Sequence, residues 1–81
     1  MEHVQKRGLA RLLLRWPEYR SNLRRCAKED PYLLELIGAY ETACEAVEYW
    51  SRANNTVASE RTEEYRQLRE ATEHDILVKI V

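Results

Sequence analysis

Glycine and proline are nearly absent from this sequence, with two of each in 81 residues. A chain with so few turn formers has few places to reverse, so long elements are expected. Phenylalanine is missing altogether, while leucine, alanine, glutamate and arginine are common, and their propensities favour helix. Cys26 and Cys44 are the only cysteines. Small secreted domains generally need a denser disulfide framework, so two cysteines at apolar helical positions read as reduced core residues. A reducing, cytoplasmic setting follows as an expectation. No run approaches the roughly 20 apolar residues that span a bilayer, so no membrane span is expected. The leucines between Lys6 and Trp16 are broken by Arg11 and Arg15, which spoils a signal-peptide core. An Arg-rich transit segment is the competing reading of that stretch, but a structural helix accounts for the same residues.

Catalytic signatures are equally sparse. There is no Gly-rich phosphate loop, no Ser/His/Asp set and no pair of carboxylates in an evident cleft. His3 and His74 are the only histidines. Glu70 and His74 are four apart and could share a helical face, yet a metal site wants three or four converging ligands. A helical side-chain pair is the simpler account. The expectation is a protein that is not an enzyme, with no cofactor and no metal.

What the chain does contain is charge and helical periodicity. Charged residues make up 33% and hydrophobic residues 44%, too apolar for disorder. The net charge of −1 conceals a division. Met1 to Lys28 holds eight cations and two acids, leaving five cations and twelve acids for the remainder. A basic first third and an acidic remainder can pair within the chain or between chains, and an external polyanion is the competing partner for the basic part.

Leu9, Leu12, Leu13 and Trp16 recur at steps of three and four, with Arg7, Arg11 and Arg15 four apart on another face. This pattern predicts a basic amphipathic helix over 1–16. Gly8 lies inside it, at a cost of about 1 kcal/mol against alanine, so its first turns are expected to fray. Pro17 ends or kinks this helix and suits the first position of a short second helix, over 17–29. Asp30-Pro31 repeats the punctuation, with Asp30 as cap and Pro31 in the first turn.

The next stretch, 31–52, is the clearest. Leu33, Ile37, Tyr40, Cys44 and Val47 form a heptad seam, widened by Leu36, Ala43 and Trp50. Ala53-Asn54-Asn55-Thr56 is the turn, with Thr56 or Ser59 available to cap a last helix over 57–79. Tyr65, Leu68, Thr72, Ile76 and Ile80 give that helix a weaker stripe. A short turn between helices of matching length makes them antiparallel.

The segment Trp16-Pro17-Glu18-Tyr19-Arg20, then Leu23, then Glu29-Asp30-Pro31 with Leu33 and Leu36, resembles the YdcH-like family of small bacterial proteins. The resemblance covers roughly Trp16 to Val47, and the closing helix shares only an amphipathic pattern. It implies a helical hairpin in a bacterial cytoplasm and no activity. The sequence departs from the family at Cys26, where an aliphatic residue is more usual. Its closing helix also lacks lysine-rich character, and the basic stretch before Trp16 looks like an added helix.

The expected architecture is therefore all-α: a long antiparallel hairpin with one or two shorter N-terminal helices. A single hairpin buries little, so either those helices pack across it or two chains pair, most simply as a two-fold dimer. In the first case the leucine face docks on the hairpin while the arginines meet Glu41, Glu45 and Glu48. The residues singled out as a possible interaction surface are Arg7, Arg11, Arg15, Trp16, Tyr19, Tyr40, Trp50 and Tyr65. Two functions are carried forward. One is a homodimeric protein-interaction or regulatory adaptor with an unidentified protein partner. The other is a nucleic-acid-associated accessory protein using the basic N-terminal helix.

Overall fold

A computed structural model describes all 81 residues and is helical almost throughout. Helix α1 spans His3–Arg15 and α2 spans Arg20–Glu29, with a 3-10 turn at Pro17–Tyr19 between them. Helix α3 spans Pro31–Arg52 and α4 spans Ala58–Ile80. The all-α hairpin architecture is as the periodicity predicts. One refinement concerns 17–29, where Pro17 opens a 3-10 turn before the α-helix begins at Arg20. Trp16 sits at φ −122° and ψ 71°, outside helical geometry, as a residue before proline tends to.

The hairpin is pinned at its open end by Asp30. One carboxylate oxygen accepts from the amides of Tyr32 (3.0 Å) and Leu33 (3.3 Å), capping α3. The other accepts from Lys79 Nζ at 2.9 Å, joining the last turn of α4 to the first turn of α3. The same ammonium lies 5.0 Å from the centre of the Tyr32 ring. Asn22 of α2 adds a third tie, donating to the Ile80 carbonyl at 2.7 Å. At the other end, the turn is shaped by Asn55, whose side-chain oxygen accepts from the Val57 amide at 3.1 Å. Neither Thr56 nor Ser59 caps α4; its cap position is Val57, which has no side chain able to do so.

The buried cluster draws on all four helices: Leu12, Trp16, Leu23, Leu33, Ile37, Tyr40, Cys44, Ile76 and Ile80. It is concentrated toward the open end of the hairpin. From Ala58 to Asp75, α4 buries only Ala58, Thr62 and Thr72. Both threonines satisfy their hydroxyls against their own helix, Thr62 on the Ala58 carbonyl and Thr72 on the Leu68 carbonyl, each at 2.8 Å. Leu68, expected on the inner stripe, is half exposed. The inner row runs through Thr62, Tyr65, Thr72 and Ile76, and Leu68 falls to its outer edge.

Gly8 reverses the expectation of a frayed first helix. It is buried where α1 crosses α3. A Cβ there would overlap the Ile37 carbonyl oxygen and lie 2.9 Å from Ile37 Cγ2 and 3.2 Å from Glu41 Cβ. Absence of a side chain lets the two backbones touch, and this outweighs the propensity cost. Helix α1 is thus completed by packing on α3, the first of the two remedies for a thin hairpin.

Candidate interaction surfaces

Close approach at Gly8 delivers the basic face of α1 onto the acidic face of α3. Glu41 has a side chain with no solvent exposure, and two guanidinium groups grip it. Arg11 Nε binds Oε1 at 2.5 Å, and Arg7 Nε lies 3.3 Å from Oε2. Arg11 also reaches Glu48 at 2.6 Å, and Arg7 approaches Glu45 at 3.9 Å. Glu41, followed by the weaker pull of Glu48, holds the Arg11 guanidinium above its ordinary pKa, against the lowering effect of burial. Every buried polar side-chain atom has a partner, which is what a buried carboxylate requires.

Arg15 departs from the expected set. It pairs with Glu73 of α4 at 2.5 Å instead of with an acid of α3. Glu73 also accepts from the Tyr40 hydroxyl at 3.1 Å. Burial first, then the neighbouring Cys44 and Glu73, pushes the Tyr40 hydroxyl pKa up. Burial likewise raises the Cys44 thiol, against the lowering effects of Tyr40 and Arg11. Tyr40 thus crosses the helix interface to anchor α4.

The residues proposed as an interaction surface therefore divide. Arg7, Arg11 and Arg15 are occupied by internal carboxylates. Trp16 and Tyr40 are core residues, 8% and 4% exposed, because α1 and α4 close over them. Tyr19 is half-buried and meets Trp16 edge-to-face at 6.4 Å. Trp50 and Tyr65 remain half-buried toward the turn end, beyond the Arg11–Glu48 pair. Tyr49 stacks edge-on against Trp50 at 5.1 Å and is 66% exposed. Near them α3 turns outward a row of Ala39, Thr42, Ala46 and Tyr49, diametrically opposite its buried seam. On α4, Leu68 is likewise half exposed.

The basic third of the chain divides into two surfaces. With α1 neutralised, the cations without an ion-pair partner concentrate on α2: Arg20, Arg24, Arg25 and Lys28, all exposed. Their spacing was present in the sequence, but which arginines would be spent internally depends on tertiary contact.

Chemically, the molecule offers open depressions, with no enclosed cavity among its concave features. The larger is a groove beside the turn, bordered by Trp50, Ala58, Thr62 and Arg66. Glu70 and His74 are exposed, and no three His, Cys, Asp or Glu side chains gather as a metal site would need. Both cysteines are free thiols. No helix is long and apolar enough to cross a membrane. No family model matches the chain, and neither a curated protein nor a solved structure matches it.

Proposed function

We propose that this chain is a non-catalytic protein-interaction module that works as a homodimer, binding through the hairpin face that α1 and α2 leave uncovered. The observation that carries this reading is the thinness of the hairpin at its turn end. There α4 contributes only alanine and threonine to the interior, while Tyr49 and Leu68 keep more than half of their area in water and Trp50 and Tyr65 a smaller share. Aromatic residues around a row of small residues suit a protein interface, where close helix approach and large buried rings supply affinity. The resemblance to the YdcH-like family supports a bacterial cytoplasmic setting for this role.

Sedimentation equilibrium at tens of micromolar tests the reading. The expected mass is twice the 9.7 kDa of the chain. Ala46→Glu together with Leu68→Glu is expected to give a monomer of unchanged helicity. A folded monomer throughout that concentration range removes the homodimer. The nucleic-acid reading based on α1 loses its support, since Arg7, Arg11 and Arg15 face carboxylates.

A further inference from the structure

Helix α2 carries a basic ridge that the hairpin does not use. Arg20, Arg24 and Lys28 follow one another at four-residue steps, with Arg25 beside them, and all four are exposed. None is in an ion pair; Arg20 spends only its Nε, donating to the Leu13 carbonyl at 2.7 Å. We propose that this ridge is a docking surface for the phosphodiester backbone of a nucleic acid, bound without regard to sequence. The proposal is independent of the hairpin face described above.

Spacing is the first argument. Four residues of helix rise about 6 Å, so Arg20 to Lys28 covers about 12 Å. A nucleic acid strand climbs about 3.4 Å per phosphate, so the ridge faces three or four phosphates. Arginine forks bind phosphate oxygens in pairs, and three of the four cations are arginine. The second argument is what the ridge lacks. The other exposed residues of α2 are Ser21 and Glu29, so the ridge itself carries no apolar side chain to enter a bilayer. Phosphate contacts by these cations carry no sequence information, so binding is governed by charge.

Much of the acidic remainder of the chain is already matched by cations or lies far from the ridge. Glu41, Glu45, Glu48 and Glu73 are matched by α1, and Asp30 by Lys79. The exposed acids Glu60, Glu63 and Glu64 occupy the opposite end of α4 from Ile80, which α2 touches. Along α4 that is more than about 20 Å, beyond a Debye length of about 10 Å at 0.1 M salt. Glu35, Glu70 and Asp75 remain exposed and unpaired, with Asp75 the one nearest the α2 end of α4. Glu18 and Glu29 flank the ridge and set its ends.

Fluorescence anisotropy with a labelled 20-base-pair duplex and a single-stranded RNA of the same length tests the inference. Binding to either at 25 mM salt is expected, weakening about 40-fold by 100 mM, as release of counterions from about three phosphates requires. Arg24→Gln with Lys28→Gln should reduce the log–log salt slope by about 2. Lys6→Gln with Arg52→Gln removes the same charge from two other exposed, unpaired cations and should leave binding unchanged. Circular dichroism confirms that both pairs stay folded. No binding at 25 mM salt overturns the proposal. So does an equal loss in both double variants, which would mark net charge and not the ridge. Polyglutamate or phosphatidylserine vesicles binding as tightly as nucleic acid would also overturn it, in favour of an acidic protein or a membrane.

Discussion

Adding one methyl group at each glycine gives opposite outcomes, and the pair tests the crossing of α1 over α3. By helix propensity alone, alanine at Gly8 or Gly38 should stabilise by roughly 0.4–1 kcal/mol, partly by restricting the unfolded chain. At Gly38 the new Cβ would lie 3.4 Å from Gln5 Cγ and 3.7 Å from Val4 Cγ1, ordinary contact distances to side-chain atoms. That gain should be realised. At Gly8 the new Cβ meets a backbone carbonyl that cannot rotate away, and Ile37 Cγ2 at 2.9 Å. The helices must separate, at an overpacking cost of about 1–3 kcal/mol. Separation also draws Arg7 and Arg11 away from a Glu41 side chain that has no water to replace them. The expected net loss for Gly8→Ala is about 1–2 kcal/mol, or roughly 4–16 °C in Tm for a domain of this size. Urea unfolding with the m-value held common reads both variants against the parent. A Gly8→Ala protein as stable as the parent, or more so, would refute the close crossing.

Two further outcomes follow from the ionic contacts. Arg7→Met with Arg11→Met leaves Glu41 buried without a counter-charge and should cost about 3–5 kcal/mol; adding Glu41→Met should recover most of that. Urea midpoints of the double and triple variants decide this, and a triple variant no better than the double one contradicts the assignment. The Asp30 carboxyl is held below its ordinary pKa, first by Lys79 and then by the Leu33 and Tyr32 amides, with partial burial opposing. Its stabilising effect is therefore complete above about pH 4, the unfolded value, and is lost as pH falls through the lowered folded value. Asp30→Asn keeps a capping oxygen but not the charge. Its Tm should fall below the parent's at pH 7, with the gap closing toward pH 2; a gap unchanged at pH 2 argues against the ion pair.

The sequence made the elements legible because local signals agreed with one another. Pro17 and the Asp30-Pro31 pair mark helix starts by covalent restriction, and the seam from Leu33 to Val47 is regular enough to fix the buried face of α3. Helix α4 was harder. From Ala58 to Asp75 its interior is Ala58, Thr62 and Thr72, residues that carry little hydropathy signal, so the stripe included Leu68, which is half exposed, and missed Ala58 and Thr62. The arginine face of α1 pointed correctly to Glu41, Glu45 and Glu48, but the reach of Arg15 to Glu73 depends on the angle at which α1 crosses. That angle follows from Gly8 touching Ile37, a contact 29 positions apart that periodicity does not encode. For the same reason Trp16 and Tyr40, correctly placed on apolar faces, were also counted among the interaction residues: amphipathicity identifies an apolar face without identifying its cover.

The uneven placement of the core has a thermodynamic consequence. All nine residues of the buried cluster lie at or before Cys44 on the ascending side and at or after Ile76 on the returning side. Separating the hairpin from its turn end back toward Thr72 therefore exposes Val47, Ala58 and the covered parts of Trp50 and Tyr65 but leaves the nine-residue cluster intact. Separating it from the Asp30 end breaks the whole cluster at once. The molecule should open in two stages of unequal cost, a low one that frees only the turn end and a higher one that coincides with global unfolding. A partner seated on the turn-end face would close the first stage, so its binding would stiffen the rod without altering its shape.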